Sequence, residues 1–370
     1  MAQIDERYAA QHGRGRDAEA PNQIPLPGWK DVLWRLYRAI TEDRILLTAA
    51  GASFFILLAL VPTLTAFVSI YGLFNDRASV IDHVELLAGI VPPGVLDIIR
   101  DQLTRLTAES NDTLGLTLLF SLAIALWSAS AGVKAMFEAM NVAYRETERR
   151  SFLVFNGTAL LFTLGGALSA LLVIAVVLVM PAVIAFLPGG AGLAWTVRVG
   201  AYAAMLLVLA GGMAALYRWG PSREDAKWRW ITPGALLTVV ALGVTSVLFS
   251  WYVTNFTDDN ATYGSLGAVI GLMTWLWVSV TVVIIGAELN SEIEHQTARD
   301  STTGPDLPLG ARGAYMADTV GRAWPPARKK VEANMLTIQP RRKQLSWSDL
   351  SFAACAVIAL HIATRGRRRQ

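Results

Sequence analysis

The chain has 370 residues, 54% of them hydrophobic and only 16% charged, with a formal net charge of +3. A soluble domain carries about 25% charged residues, so the deficit and the repeated apolar runs of twenty or more residues exclude an ordinary soluble domain. The runs do not alternate polar with apolar, which excludes a transmembrane β-barrel, and a bilayer offers bare peptide groups no partner, so each span must be helical. The expectation is an all-α, polytopic membrane bundle.

Residues 1–44 read as a basic N-terminal tail with no signal peptide. Six spans follow in the segment 45–290: about 45–72 (with Pro62 inside), 114–136, 152–187, 193–217, 231–254 and 264–288. The third is long for one straight crossing, and Gly165–Gly166 offers a bend. Pro62, Gly165 and Gly166 are therefore candidate flexible points. Between the first two spans, 75–113 carries two amphipathic segments split by Pro92–Pro93, with Leu96, Ile99, Leu103 and Leu106 on one face. This predicts an outer amphipathic helical segment, either lying on the leaflet or capping a cavity.

Residues 291–370 read as a basic tail, Pro/Gly-rich and flexible over 304–343, with a short apolar segment at 350–364. At about 1.5 Å per residue that segment is short for a crossing, and an interfacial anchor is the preferred reading over a seventh span. Cys355 is the single cysteine, so no disulfide forms within the chain.

The distribution of Lys and Arg tests the span count. The tail 1–44 has 7, the 134–151 loop 4, the 218–230 loop 4 and the region from Ser291 onward 13. The alternate loops hold 4 of the 32. Cytoplasmic loops are enriched in Lys and Arg, so this split predicts N and C termini in the cytoplasm.

No catalytic motif is present. The four histidines, His12, His83, His295 and His361, are far apart in sequence, and no HExxH, CxxC pair, phosphate loop or GxSxG occurs. No enzyme, cofactor or metal site is expected. The informative residues are polar ones in or beside spans, which are costly in lipid and tend to face a bundle interior. They are Ser53 in the first span, Ser128, Ser130, Glu138 and Asn141 around the second, and Tyr263, Ser265, Glu288 and Asn290 around the sixth. The stretch AAGAS in the first span equally suits close helix packing. Lys134, Glu138 and Asn141 share one helical face, so Lys134 and Glu138 are placed to pair. Trp127 precedes Glu138 by eleven residues and Trp277 precedes Glu288 by eleven. If that is an internal duplication, the two carboxylates are pseudo-equivalent.

AAGASFFILLALVPTL, WSASAG…AMNVAY, TPGALLTVVALGVTSVLFSWYVTNF and above all YGSLGAVIGLMTWLWVSVTVVIIGAELNSE resemble the YihY/BrkB family of bacterial inner-membrane proteins. The resemblance covers about 30–295. It implies six transmembrane helices with both termini inside. The family has carried the label ribonuclease BN, and BrkB-type members are described as serum-resistance factors or possible transporters. A nuclease needs metal-binding carboxylates or an acid/base pair beside a phosphate-accessible surface, and the short basic loops here carry no acidic cluster.

Two functions are carried forward. One is a transporter, or a lipid- or envelope-handling permease of unknown substrate, with Glu288 titrating or binding a cationic group. The other is a non-transporting scaffold for envelope assembly. The partners expected are membrane lipids, with anionic headgroups at the basic tail, and a homo-oligomer is left open; nucleic acid is not among them.

Overall fold

A computed structural model describes residue 11 and residues 13–74, 114–186, 191–256 and 264–324. The expectations for 75–113, Tyr263, Cys355 and the apolar segment 350–364 lie outside the described residues. Those described are helical, apart from turns, loops and a single bridge between Ala226 and Thr302.

A short amphipathic helix comes first, α1 (Leu26–Glu42). Six long helices follow: α2 (Ile45–Phe74), α3 (Leu114–Tyr144), α4 (Phe152–Phe186), α5 (Ala191–Trp219), α6 (Trp228–Phe256) and α7 (Gly264–Glu294). One turn of helix, α8 (Tyr315–Asp318), closes the described chain. Four stretches among the described residues are long and apolar enough to cross a membrane: Phe152–Ala170, Gly192–Trp219, Trp228–Tyr252 and Val269–Glu294. The helices α2 and α3 stand where the other two spans are expected.

Consecutive helices pack against each other from α2 through α7, and α7 also packs against α2 and α3, which closes the ring. Large apolar side chains point outward along α4, α5 and α6, with Leu161, Leu207 and Val247 all more than two-thirds exposed. This is the pattern of helices whose solvent is lipid.

Hydropathy and helix do not stop together. The spans are expected to end at 136 and 288, yet α3 runs on to Tyr144 and α7 to Glu294. Polar residues end the apolar run without breaking the helix, because their faces meet a polar partner rather than lipid. That partner is an end cap, and here the structure differs from the sequence reading of two tails. Residues 26–42 form a helix that buries Gly28, Asp31, Val32, Arg35 and Ala39 on one face and packs against α7. Residues 295–324 pack into the cap as well, while the rest of the segment expected to be flexible, 325–343, lies outside the described residues. Arg312 is 1% exposed and donates to the carbonyls of Leu307, Arg299, Ala317 and Ala298. A buried guanidinium with its donors taken up in this way holds the surrounding loop in one shape.

α4 is unbroken through Gly165 and Gly166, and a Cβ added at either would meet nothing within 4 Å. α2 likewise runs through Pro62 without interruption.

Candidate functional site

The start of α2, the ends of α3, α5 and α7 and the start of α6 converge beneath the cap. A close crossing joins α6 to α7. A Cβ on Gly286 would stand 1.9 Å from Thr238 Oγ1 and 2.5 Å from Tyr217 Oη, and one on Gly234 would stand 2.2 Å from the Gly286 carbonyl. Both positions must be glycine for the helices to approach this closely. The close approach lets Tyr217 Oη bond Thr238 Oγ1 at 2.6 Å and the Val283 carbonyl at 2.8 Å. It also lets the Gly234 N–H donate to Asn290 Oδ1 at 2.7 Å. Asn290 thus ties α6 to α7.

Above this junction lies a layer of charge. Arg35 of α1 donates from Nε to Glu292 Oε2 at 2.5 Å and from Nη2 to the Glu292 carbonyl at 2.9 Å. His295 Nδ1 stands 3.3 Å from the same Glu292 oxygen, and its Nε2 lies 3.1 Å from Thr319 Oγ1. Asp31 accepts from Arg14, from Gln296 and from the Trp324 N–H. Asn141 joins two loops, accepting from the Ser222 N–H at 2.7 Å and donating to Glu148 at 3.2 Å.

Glu288 is the one carboxylate at the end of α7 outside this network, since Glu292 and Glu294 both have ion pairs among the described residues. It is 0% exposed, and its Oε1 has no hydrogen-bond partner among the described residues. Its Oε2 has only Ser291 Oγ, at 3.4 Å. The charges acting on it come from Asp43 at the α1–α2 junction, Glu292 one turn along α7, and Arg145 at the end of α3. Asp43 and Arg145 approach to 3.6 Å without a hydrogen bond to Asp43 Oδ2. Burial raises the Asp43 carboxyl above its ordinary range, and Arg145 opposes that rise. Arg44 and Arg145 both sit at positive φ, 50° and 55°, where the chain leaves α1 and α3.

The other sequence candidates fall in different surroundings. Ser53 and Ser130 are buried, and each bonds back to its own helix, to Ala49 O at 2.7 Å and Trp127 O at 2.6 Å. They lie along α2 and α3 near the contact where Gly132 meets Ile56 and Ala59. Ser128 is half-buried. Ser265 lies in the first turn of α7.

Glu138 is exposed, and Lys134 does not pair with it. Lys134 instead donates to Asn156 Oδ1 at 3.2 Å and sits 4.8 Å from the Trp127 ring centre. An exposed Glu138 and a buried Glu288 are therefore not equivalent in environment. Asp43 and Arg145 are neighbours of Glu288 that the sequence reading did not identify, and Arg35 is reached through Glu292. The basic pair counted only as orientation signals, although Glu288 and Glu292 lie one helical turn apart.

The comparisons agree with this architecture. The family profile for Virulence factor BrkB matches residues 36–308. The chain belongs to that family, and it is a membrane protein of the BrkB/UPF0761 group. It is 30% identical over 264 residues to "Putative ribonuclease-like protein YfkH" of Bacillus subtilis, covering 66% of this chain and 88% of the relative. It is 24% identical over 281 residues to a UPF0761 membrane protein of Albidiferax ferrireducens, covering 72% of this chain and 65% of that one. Against a UPF0761 membrane protein of Neisseria meningitidis serogroup B the identity is 29% over 285 residues, with 71% and 63% covered. The chain thus spans less than two-thirds of the length of these two UPF0761 relatives. No solved structure matches.

Proposed function

We propose that this protein is an inner-membrane permease, a transporter or a lipid- or envelope-handling carrier, in which Glu288 takes up a proton or the cationic group of the transported species. The observation carrying this reading is the unpartnered Oε1 of a fully buried carboxylate. Buried polar groups in a folded protein are almost always satisfied, and a carboxyl that only anchored a helix end would be too. Arg35–Glu292 and Arg223–Glu294 follow that rule a turn away. A carboxylate left open within a span is costly and is kept where it binds or titrates.

The same reading takes α2 to α7 as six spans, with both termini in the cytoplasm, as the uneven distribution of Lys and Arg supports. It holds the protein to be no enzyme. YfkH is named a putative ribonuclease-like protein, but in this chain Glu288 and Glu292 are buried rather than turned toward a surface that RNA could reach. It takes the basic region from 325 as the contact for anionic lipid.

The test is proton flux into proteoliposomes loaded with a pH-sensitive dye, under an imposed pH gradient. Wild type should pass protons faster than protein-free vesicles, and Glu288→Gln should fall to the vesicle baseline while keeping its melting temperature. Equal flux from the two proteins would remove Glu288 from the mechanism.

The interlocked cap favours a second reading, an envelope-assembly scaffold. Its test is deletion of 325–370, because 295–324 is integral to the cap. Loss of in vivo function with wild-type proton flux would support the scaffold.

A further inference from the structure

A cleft of about 600 Å³ opens where the loop after α3, the first turns of α4, the end of α5 and the 220–225 loop meet. Its floor is apolar, formed by Leu161, Phe162 and Trp219. Leu161 is 69% exposed, and Leu153 and Leu168 beside it on α4 are exposed as well, so the floor continues into the lipid-facing surface. Trp219 stands edge-to-face against Trp228, a pair of the kind that gathers where membrane meets water.

The rim is charged, but most of its charge is used. Arg150 is held by Glu148 and by the carbonyls of Trp219 and Gly220. Arg223 is buried in its pair with Glu294. Asp225 is engaged by Arg218 and by the Trp219 N–H.

Two side chains keep capacity. Arg149 is 63% exposed and has one ion pair, to Glu146 at 3.2 Å. The exposed carboxylate of Glu224 has no ion-pair or hydrogen-bond partner among the described residues. The cleft therefore offers one spare cation and one spare anion above an apolar floor open to the bilayer.

We propose that this cleft binds a zwitterionic phospholipid with a primary ammonium headgroup, a phosphatidylethanolamine. Its phosphate meets Arg149, its ammonium meets Glu224, and its first methylenes lie on Leu161, Phe162 and Trp219. The volume falls in the ordinary range for ligand sites, roughly 300–1,000 Å³. Guanidinium is the preferred partner for a phosphate. An anionic headgroup such as phosphatidylglycerol would satisfy Arg149 but bring only neutral hydroxyls to Glu224, leaving that carboxylate without a cation. A quaternary ammonium has no N–H to give the carboxylate. A free headgroup lacks the chains that cover the floor. This site is independent of transport and of Glu288.

The test is native mass spectrometry of the full-length protein released from detergent, titrated in parallel with phosphatidylethanolamine, phosphatidylglycerol, phosphatidylcholine and soluble glycerophosphoethanolamine. We expect phosphatidylethanolamine to be retained at least tenfold more than each of the others. Glu224→Ala should reduce that retention at least fivefold with unchanged melting temperature, because its side chain is exposed, and Arg149→Ala should do so when made together with Glu146→Gln, which neutralises the buried carboxylate that Arg149 pairs with. Leu161→Ser should weaken it as well. Equal retention of phosphatidylglycerol or phosphatidylcholine, binding of the soluble headgroup alone, or variants that retain the lipid like wild type would each overturn the proposal.

Discussion

Arg223 and Glu294 meet in a two-pronged ion pair, Nη1 to Oε2 at 2.7 Å and Nη2 to Oε1 at 2.6 Å, with each side chain 2% exposed. The pair fastens the loop after α5 to the last residue of α7, and Ser301 adds a third contact from the C-terminal arm, its Oγ donating to Glu294 Oε1. Arg223 also lies 5.0 Å from the Tyr144 ring centre at the end of α3. One ion pair thus connects three helices and the cap.

Removing either partner leaves the other charged and dry, which costs about 3–5 kcal/mol. Arg223→Met and Glu294→Leu should each lower the melting temperature in detergent strongly. The double variant should recover most of the loss, since matched apolar side chains replace a buried pair at little cost. A double variant as unstable as the sum of the singles would show that the loss arises outside the pair.

The glycines separate into two kinds. Gly286→Ala drives a methyl into Thr238 Oγ1 and Tyr217 Oη. Overpacking of this sort costs about 1–3 kcal/mol, and the Tyr217–Thr238 bond is lost with it. Gly165→Ala and Gly166→Ala meet open space, and a helical alanine is better than glycine by roughly 0.5–1 kcal/mol. Thermal melts should place Gly286→Ala below wild type and the other two at or above it. Reduced flux in the stabilised Gly166→Ala protein would mark that position as a working bend in α4.

Most of the fold was legible because lipid writes a plain message. Apolar runs gave the positions of α2 to α7, and the Lys and Arg pattern grouped the loops that the structure does bring together at one end. What was hidden follows from the same physics. Once a helix leaves lipid its residues are polar whether it stops or continues, so hydropathy alone ended the spans at 136 and 288, short of the ends of α3 and α7. The cap was hidden because Arg16, Arg35 and Arg312 read as solvated charges, while the structure buries each of them. A periodic signal was nonetheless present in α1, where Pro27 opens a run with Val32, Leu36 and Ala39 at helical spacing. Glu288 and Asn290 were both singled out, but their roles differ. Asn290 ties α6 to α7 through its Oδ1, while Glu288, two residues earlier, has an Oε1 with no partner among the described residues.

Arg312 gives a test of the cap. Lysine keeps the charge but offers a single ammonium, and it cannot reach four carbonyls arranged around a guanidinium. Hydrogen bonds to a charged donor contribute about 1.5–3 kcal/mol each. Arg312→Lys should therefore open 299–317 locally and raise the rate of tryptic cleavage at Arg299 by tenfold or more. Equal cleavage rates would mean that the arm is held by its other contacts, such as the Gly321 N–H to His295 carbonyl bond at 2.7 Å.

Glu148 supplies a pH dependence with a definite sign. Arg150 bonds it from Nε at 2.8 Å and from Nη2 at 2.7 Å, and Asn141 adds a second donor side chain. These bonds, Arg150 first, bring its pKa down from 4.5 to about 2. A carboxyl whose folded pKa is depressed stabilises the fold above its unfolded pKa and loses that contribution as pH falls toward the folded value. The difference in melting temperature between wild type and Glu148→Gln should be constant from pH 7 to about 5. It should then shrink between pH 4.5 and 2. Glu146 acts in the opposite sense. Burial raises its pKa, chiefly against the Tyr315 N–H bond that lowers it, so acid relieves a cost there and the wild-type curve alone mixes two slopes. The wild-type minus Glu148→Gln difference cancels the Glu146 contribution, because both proteins carry it. A difference that stays flat down to pH 3 would show that Arg150 is held by the Trp219 and Gly220 carbonyls and gains nothing from the carboxylate.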